Sequence, residues 1–317
     1  MKHLLYSITA IVLSVLVLNG CRKGGKQSST TQADTAKVNT IIVGVLPTLD
    51  CLPFYVANMY DICRPLGLNI KLVYQSSQMD LEQSLINEKI DIAASDIFRV
   101  MMMQNKRYNI RFLATSSREW QLYANKKRRI TKIDHLGDRM VGMTRCSVLD
   151  YYCDTITTRI KKNSGLLLRP QINDVFIRMQ MLNEAQFDAA FIPLPLNQIA
   201  DAKEHTSLGL LQDCDGFTGF AVNCNRIKSK SSHIPILIKA YNMAVDSIKL
   251  HPDMKFPAEI IARYKVDSIP YKLIKGKSLS HIYHPSGKKI TSALQWVKKN
   301  KFAASSYKAD TLTYVYK

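Results

Sequence analysis

The stretch Ile41-Ile-Val-Gly-Val-Leu46, followed by Pro47-Thr-Leu-Asp-Cys-Leu-Pro53 and Phe54-Tyr-Val-Ala57, decides how the rest of the chain is read. An unbroken apolar run of this length fits a parallel strand covered on both faces, and a proline just inside the next element fits a helix start. The unit is therefore strand, loop, helix. In an open parallel sheet such a loop lies at the carboxyl end of its strand, where ligands settle in the crevice. The loop 46–53 is thus a candidate for ligand contact as well as a connection.

Outward toward the carboxyl end, the unit recurs. Leu68-Asn-Ile-Lys-Leu-Val-Tyr74 alternates as a strand, Gln75-Ser-Ser-Gln-Met-Asp80 is polar, and a helix is predicted over 81–87. Ile90-Asp-Ile-Ala-Ala94 reads as a third strand, Ser95 or Asp96 caps a helix over 97–105, and 110–116 reads as a fourth strand. The pattern then restarts, with strands at 120–125 and 140–143 and a helix over 148–161 opened by Thr144-Arg-Cys-Ser147. A strand near 174–177, a helix over 179–184 and a strand over 187–192, ending in Pro193-Leu-Pro-Leu-Asn197, complete this second set. Strands alternating with helices at this spacing predict an α/β fold with mostly parallel sheets and right-handed crossovers. Two short strands are expected around Asp213-Cys-Asp-Gly216, after which 234–251, 257–264 and 289–299 carry helical spacing. Leu237, Ala240, Tyr241, Ala244, Val245 and Ile248 form the apolar stripe of the first of these helices.

Toward the amino end, Lys2 and His3 precede an apolar run over 4–18, shorter than the roughly 20 residues of a membrane span and suited to an export signal. It ends in Leu18-Asn-Gly-Cys21, which resembles a bacterial lipobox. The resemblance implies removal of residues 1–20, acylation of Cys21 and a lipid-anchored protein of the bacterial cell envelope that faces the periplasm. Residues 21–40 are small and polar and read as a disordered tether. Residues 41–317 suffice for about two domains with substantial cores.

The formal net charge of +19 is unevenly placed. Residues 225–317 hold eighteen Lys and Arg against five Asp and Glu, whereas 41–224 hold twenty-one against nineteen. A nearly neutral body without basic repeats interleaved with aromatics argues against nucleic acid. The basic carboxyl third suits either an acidic partner or anionic lipid, or simply a solvated surface. Besides Cys21 there are six cysteines, Cys51, Cys63, Cys146, Cys153, Cys214 and Cys224, an even number that permits disulfides outside the cytoplasm; Cys214 and Cys224 are placed to close a hairpin.

Four stretches in order carry a family resemblance: 44–57 with its Pro53-Phe-Tyr-Val-Ala57, 81–94 ending Lys89-Ile-Asp-Ile-Ala-Ala94, Leu136-Gly-Asp-Arg-Met-Val-Gly142, and Asn183-Glu-Ala-Gln-Phe-Asp-Ala-Ala-Phe-Ile192. Together they resemble the periplasmic substrate-binding proteins of ATP-driven (ABC) importers, in the branch for nitrate, sulfonates, taurine and thiamine-pyrimidine precursors. The resemblance implies a type II-like two-lobe fold, each lobe a mixed, mostly parallel sheet flanked by helices. Two hinge crossings, near 116–123 and 219–226, would join 41–118 and 225–317 (one lobe) to 119–224 (the other). It further implies a monomer that takes a small anionic or zwitterionic organic solute between its lobes and passes it to an ABC permease in the membrane, without cofactor. The chain departs from the family's usual pattern at Pro193-Leu-Pro195 and around Asp50-Cys51.

If the lobes face each other, the loop ends line the cleft: Thr48, Asp50, Gln75, Ser76, Ser95, Asp96, Trp120, Thr144, Arg145, Ser147 and Asn197. Arg145 sits at the amino end of the helix starting at Val148, where free amides and the helix dipole favour an anion; pairing with Asp150 or Asp154 is the other reading. Asp50 and Asp96 suit an amino or amidine group. Phe54, Phe98 and Trp120 suit either a ligand ring or the core. Cys51 and Cys146 occupy matching loops and read as buried thiols or as a pair meeting across the cleft.

No Gly-x-Ser-x-Gly elbow, phosphate-binding glycine loop, dinucleotide fingerprint or Cys-x-x-Cys occurs. The histidines avoid every expected cleft loop, which disfavours a metal site and histidine acid-base catalysis. A non-enzyme is therefore expected. A sensor or interaction module built on the same fold is the alternative, and a two-lobe biosynthetic enzyme fits less well.

Overall fold

The computed structural model describes residues 40–160, 165–211, 216–251, 253–275 and 279–316. The expected export signal, Cys21, the tether and Cys214 lie outside the described residues.

The strand-loop-helix unit at the start is present as β1 (Thr40–Val45) and α1 (Leu52–Met59), joined by a single 3-10 turn over Leu49–Cys51. β2 (Asn69–Tyr74), α2 (Gln78–Ile86), β3 (Ile92–Asp96), α3 (Ile97–Asn105) and β4 (Ile110–Thr115) follow. Side-chain caps start both middle helices: Ser77 accepts from the Asp80 amide, and Asp96 accepts from the Arg99 amide. β1 pairs in parallel with β2 and β3, as the continuous apolar runs predict.

The chain leaves this sheet after Thr115 and enters a second one at β5 (Trp120–Ala124). There follow β6 (Val141–Gly142), α4 (Val148–Ile160), α5 (Val175–Asn183), β7 (Ala189–Pro193), α6 (Asn197–Ala202) and β8 (Thr206–Leu210). β9 (Thr218–Asn223) belongs to the first sheet, whose order is β2-β1-β3-β9-β4, with β9 antiparallel to both neighbours; the second sheet runs β6-β7-β5-β8. α7 (Cys224–Ile227), α8 (His233–Leu250), α9 (Ala258–Tyr264), α10 (Tyr271–Ile274) and α11 (Gly287–Lys299) then pack mainly on the first lobe. The stripe from Leu237 to Ile248 is buried throughout, with α8 lying against α1.

Three expectations from the sequence are corrected. The strand expected at 174–177 is the start of α5, because the Asp174 carboxylate accepts the Phe176 and Ile177 amides as an N-cap. The edge position beside β6 is instead taken by bridges from Leu168 to Met140 and from Gln171 to Met143. The two strands around 213–216 are not a hairpin, since β8 and β9 lie in different sheets. The second crossing therefore falls between the end of β8 at Leu210 and the start of β9 at Thr218, ahead of the expected 219–226. Only glycine fits at 219 in β9: a Cβ there would stand 2.0 Å from the Ala114 carbonyl oxygen, beside the irregularity between Phe112 and Ala114 in β4. Cys51, Cys63, Cys146, Cys153 and Cys224 are free thiols, so Cys51 and Cys146 do not join across the cleft.

Candidate functional site

The loops that follow β1, β2 and β3 meet loops of the second lobe along a seam, and hydrogen bonds cross it directly. The Leu49 amide donates to the Leu194 carbonyl at 2.9 Å and the Val175 amide to the Ser76 carbonyl at 3.0 Å. The Ser76 hydroxyl donates to the Asp174 carboxylate, the Val148 amide lies 3.4 Å from Asp96 Oδ2, and Arg99 Nη1 donates to the Arg145 carbonyl at 3.4 Å. The two lobes are thus in contact, and three buried clusters sit along their contact.

The first cluster is built on the loop after β1. Asp50 is fully buried and accepts from the Thr48 and Ser116 hydroxyls, each at 2.6 Å, and from Arg118 Nε at 3.1 and 3.2 Å. Tyr241 of α8 and Tyr264 of α9 donate their hydroxyls to the Asp50 and Thr48 carbonyls, so the carboxyl-terminal helices hold this loop in place. Arg118 lies in the first crossing and is 1 % exposed. Its Nη2 stands 3.1 Å from Asp50 Oδ2 but out of line for a hydrogen bond, and its Nη1 has no partner among the described residues. Burial works most strongly against the Arg118 charge, yet the Asp50 carboxylate, by its charge and hydrogen bonds and with smaller help from Cys51 and Asp96, lifts the pKa above the ordinary arginine range.

The second cluster joins Ser95, Asp96, Gln78, Glu82 and Arg99. Arg99 Nε donates to both Glu82 oxygens at 3.0 and 2.8 Å, and Gln78 Nε2 donates to Asp96 at 3.0 Å. Desolvation raises the Asp96 pKa to about 6 against the hydrogen bonds from Gln78 and the Arg99 amide. The third cluster belongs to the second lobe. Arg178 is fully buried and donates to the Ile172 and Phe191 carbonyls and to Thr144 Oγ1 at 2.8 Å, with its guanidinium carbon 5.6 Å from the Trp120 ring centroid. With carbonyls rather than carboxylates around it, burial lowers its pKa to about 9, only partly countered by Asp174.

Of the residues expected to line the cleft, Thr48 and Asp50 meet in the first cluster, Ser95 and Asp96 in the second, and Thr144 and Trp120 in the third. Ser147 caps its own helix by accepting from the Leu149 amide, and the Asn197 side chain is buried with its Oδ1 unpartnered among the described residues. Gln75 and Ser76 stand at the half-buried mouth of the seam. Arg145 is apart from all of these: its side chain is 39 % exposed and its Nε lies 3.4 Å from Asp150, the pairing that was its alternative reading. Phe54 packs against Phe220 and Tyr241, and Phe98 against Tyr151, Phe217 and Trp296, so both are core residues. Glu82, Arg99, Arg118 and Arg178 were not legible as site residues. The signal for Arg99 was a lone cation inside the apolar run Ile97-Phe98-Arg99-Val100-Met101, and Arg118 carried none beyond its place in a crossing.

Two sheets flanked by helices and joined by two crossings, with loops of both meeting at one seam, make this a periplasmic-binding-protein fold. Solved structures with this fold include solute-binding proteins. The alkanesulfonate-binding protein SsuA from Xanthomonas axonopodis pv. citri, bound to MOPS, has a TM-score of 0.69 at 11% identity, covering 87% of this chain and 98% of that one. The periplasmic nitrate-binding protein NrtA from Synechocystis PCC 6803 has a TM-score of 0.66 at 11% identity over 85% of this chain and 83% of its own. The ligand-binding component of an ABC-type import system from Staphylococcus aureus, with zinc bound, has a TM-score of 0.66 at 12% identity over 87% and 96%. No family profile and no curated protein match the sequence. No helix among the described residues is long and apolar enough to cross a membrane.

Proposed function

We propose that this chain is an extracytoplasmic solute-binding lipoprotein that takes a small anionic or zwitterionic organic solute between its lobes and passes it to an ABC importer, anchored through Cys21. The observation that carries the reading is Arg118: a guanidinium buried at the crossing between the lobes, held charged by Asp50, with Nη1 unpartnered. A buried donor without an acceptor is costly, and an anion arriving between the lobes would satisfy it. The importer-associated proteins that share the fold support the delivery step. The test is native mass spectrometry of the purified protein for a co-purifying solute, followed by melting and small-angle scattering with that solute. A ligand touching both lobes should raise the melting temperature and keep the lobes closed, and Arg118→Lys, which removes the fork, should weaken an anion by roughly tenfold or more.

The runner-up, an interaction module without transport, is favoured by one observation. Phe98 of α3, Tyr151 of α4, Phe217 of the second crossing and Trp296 of α11 pack with ring centroids 5.0 to 5.9 Å apart, and Trp296 donates to Asp154 of the second lobe at 2.7 Å. This strap holds the lobes together without a solute. An unchanged melting temperature with every solute offered would favour it.

A further inference from the structure

At the mouth of the seam lies a groove that the buried clusters do not use. Two cavities of about 280 and 350 Å3 adjoin there and share Ser76, Phe176 and Lys265. Both lobes and the carboxyl-terminal helices build it. The first lobe supplies Tyr55 and Tyr74, whose ring centroids are 5.3 Å apart; the second supplies Phe176 in the first turn of α5; and the end of α9 supplies Arg263 and Lys265. Lys265 follows α9 in a left-handed conformation, φ 51°, which turns the chain at the groove.

The charge here is unbalanced. The Arg263 guanidinium lies 4.0 Å from the Tyr74 ring centroid and Lys265 Nζ 4.2 Å from that of Phe176. Neither cation has an ion pair among the described residues, and no carboxylate lines the cavity between Tyr55 and Phe176. Asp174, which borders the adjoining cavity, is already engaged by the Ser76 hydroxyl and the Phe176 and Ile177 amides. In the buried seam, by contrast, Arg99 and Arg118 each face a carboxylate of their own. Among the described residues, cations, aromatic faces and open volume therefore coincide at the mouth.

We propose that this groove seats an organic oxyanion that carries a flat apolar ring system, its charge between Arg263 and Lys265 and its ring against Tyr74 and Phe176. An arginine offers a planar fork to an oxyanion, and aromatic faces receive a ring by offset stacking or edge contact. The inference rests on the solute-binding reading and adds to the buried Arg118 a set of specificity-determining contacts at the aromatic rim and the end of α9. Because the groove takes residues from both lobes, a bound ring would tie them together.

The test is calorimetric titration of the full-length chain with three probes: 2-naphthoate, which has both ring and charge; acetate, which has only the charge; and 2-naphthol, which has the ring without a carboxylate. Naphthoate should bind at least roughly tenfold more tightly than either of the others. Arg263→Ala and Lys265→Asn, the latter chosen because asparagine tolerates the left-handed backbone, should each weaken naphthoate by roughly tenfold, whereas Arg145→Ala should not. Circular dichroism melting of each variant establishes that it is folded. Wild-type affinity in both groove variants overturns the groove, as does a failure of naphthoate to bind while a co-purifying solute stabilises the protein in an Arg118-dependent way. If neither naphthoate nor any co-purifying solute binds, the solute-binding reading falls and the groove with it.

Discussion

The two lobes bring different chemistry to their shared seam. From the first come side chains, Thr48, Asp50, Glu82, Asp96 and Arg99, all buried, joined at the crossing by Arg118. From the second come mainly backbone groups: the Leu194 and Arg145 carbonyls and the Val148 and Val175 amides. Apart from Asp174, which accepts from the Ser76 hydroxyl, the polar side chains described in the second lobe turn inward, Arg178 to carbonyls of its own lobe and Ser147 to its own helix. The contrast follows from what each loop contains. Charged residues after β1 and β3 have nowhere to go but the seam, whereas Pro193-Leu-Pro-Leu196 after β7 has only main-chain groups to offer. A substitution in the first lobe should therefore disturb the seam much more than one in the second.

The largest test of that asymmetry is Asp50→Ala. It strands the Arg118 guanidinium in a fully buried site and should cost roughly 3 to 5 kcal/mol in urea unfolding. Replacing both partners by apolar residues of similar size should recover most of that loss, because the desolvation of both ions disappears with the pair. A loss of under about 1 kcal/mol for Asp50→Ala would mean that the cluster is solvated.

A pH series sharpens the comparison on one residue. The folded pKa of Asp96 is raised to about 6 from an ordinary 3.8, so the folded state holds this proton more tightly than the unfolded chain. Its contribution is fully present below about pH 4 and is lost as pH rises through about 6, by up to about 3 kcal/mol. In Asp96→Asn this component of the pH profile should vanish while the remaining carboxylates titrate as before. A profile over pH 4 to 6 identical to the wild type would show that Asp96 keeps an ordinary pKa.

The smallest effect is expected in the second lobe. Arg145→Ala removes a partly exposed pair with Asp150, which Arg169 also holds at 3.0 Å, and should change stability by no more than about 0.5 kcal/mol. A loss near that of Asp50→Ala would abolish the distinction between the lobes.

Much of this was legible in the chain. The continuous apolar runs announced β1 and β3, the stripe of α8 is buried as its spacing predicts, and loops at the carboxyl ends of β1, β2 and β3 do reach the seam. The strand misread at 174–177 was a local matter: Val175-Phe-Ile177 has strand-like residues, but the Asp174 side chain caps them into a helix. The second crossing was less accessible, because nothing in Leu208 to Asn223 tells which sheet each short strand joins. The place of Arg145 at a helix start suits an anion ligand and an ion pair alike, and Asp150 one turn later takes it.

By itself, then, the sequence determined the α/β class, the order of the strand-helix units and which helix faces are buried, since these depend on periodicity and local capping. Tertiary structure alone decided which charges meet. Asp50 and Arg118 are 68 residues apart, Glu82 and Arg99 seventeen, and Tyr55, Phe176 and Lys265 come from three distant stretches that only the docking of two lobes and a carboxyl-terminal helix brings to one groove. A charge in sequence carries no mark of its partner. Burial makes the pairing obligatory, and burial is a property of the assembled lobes.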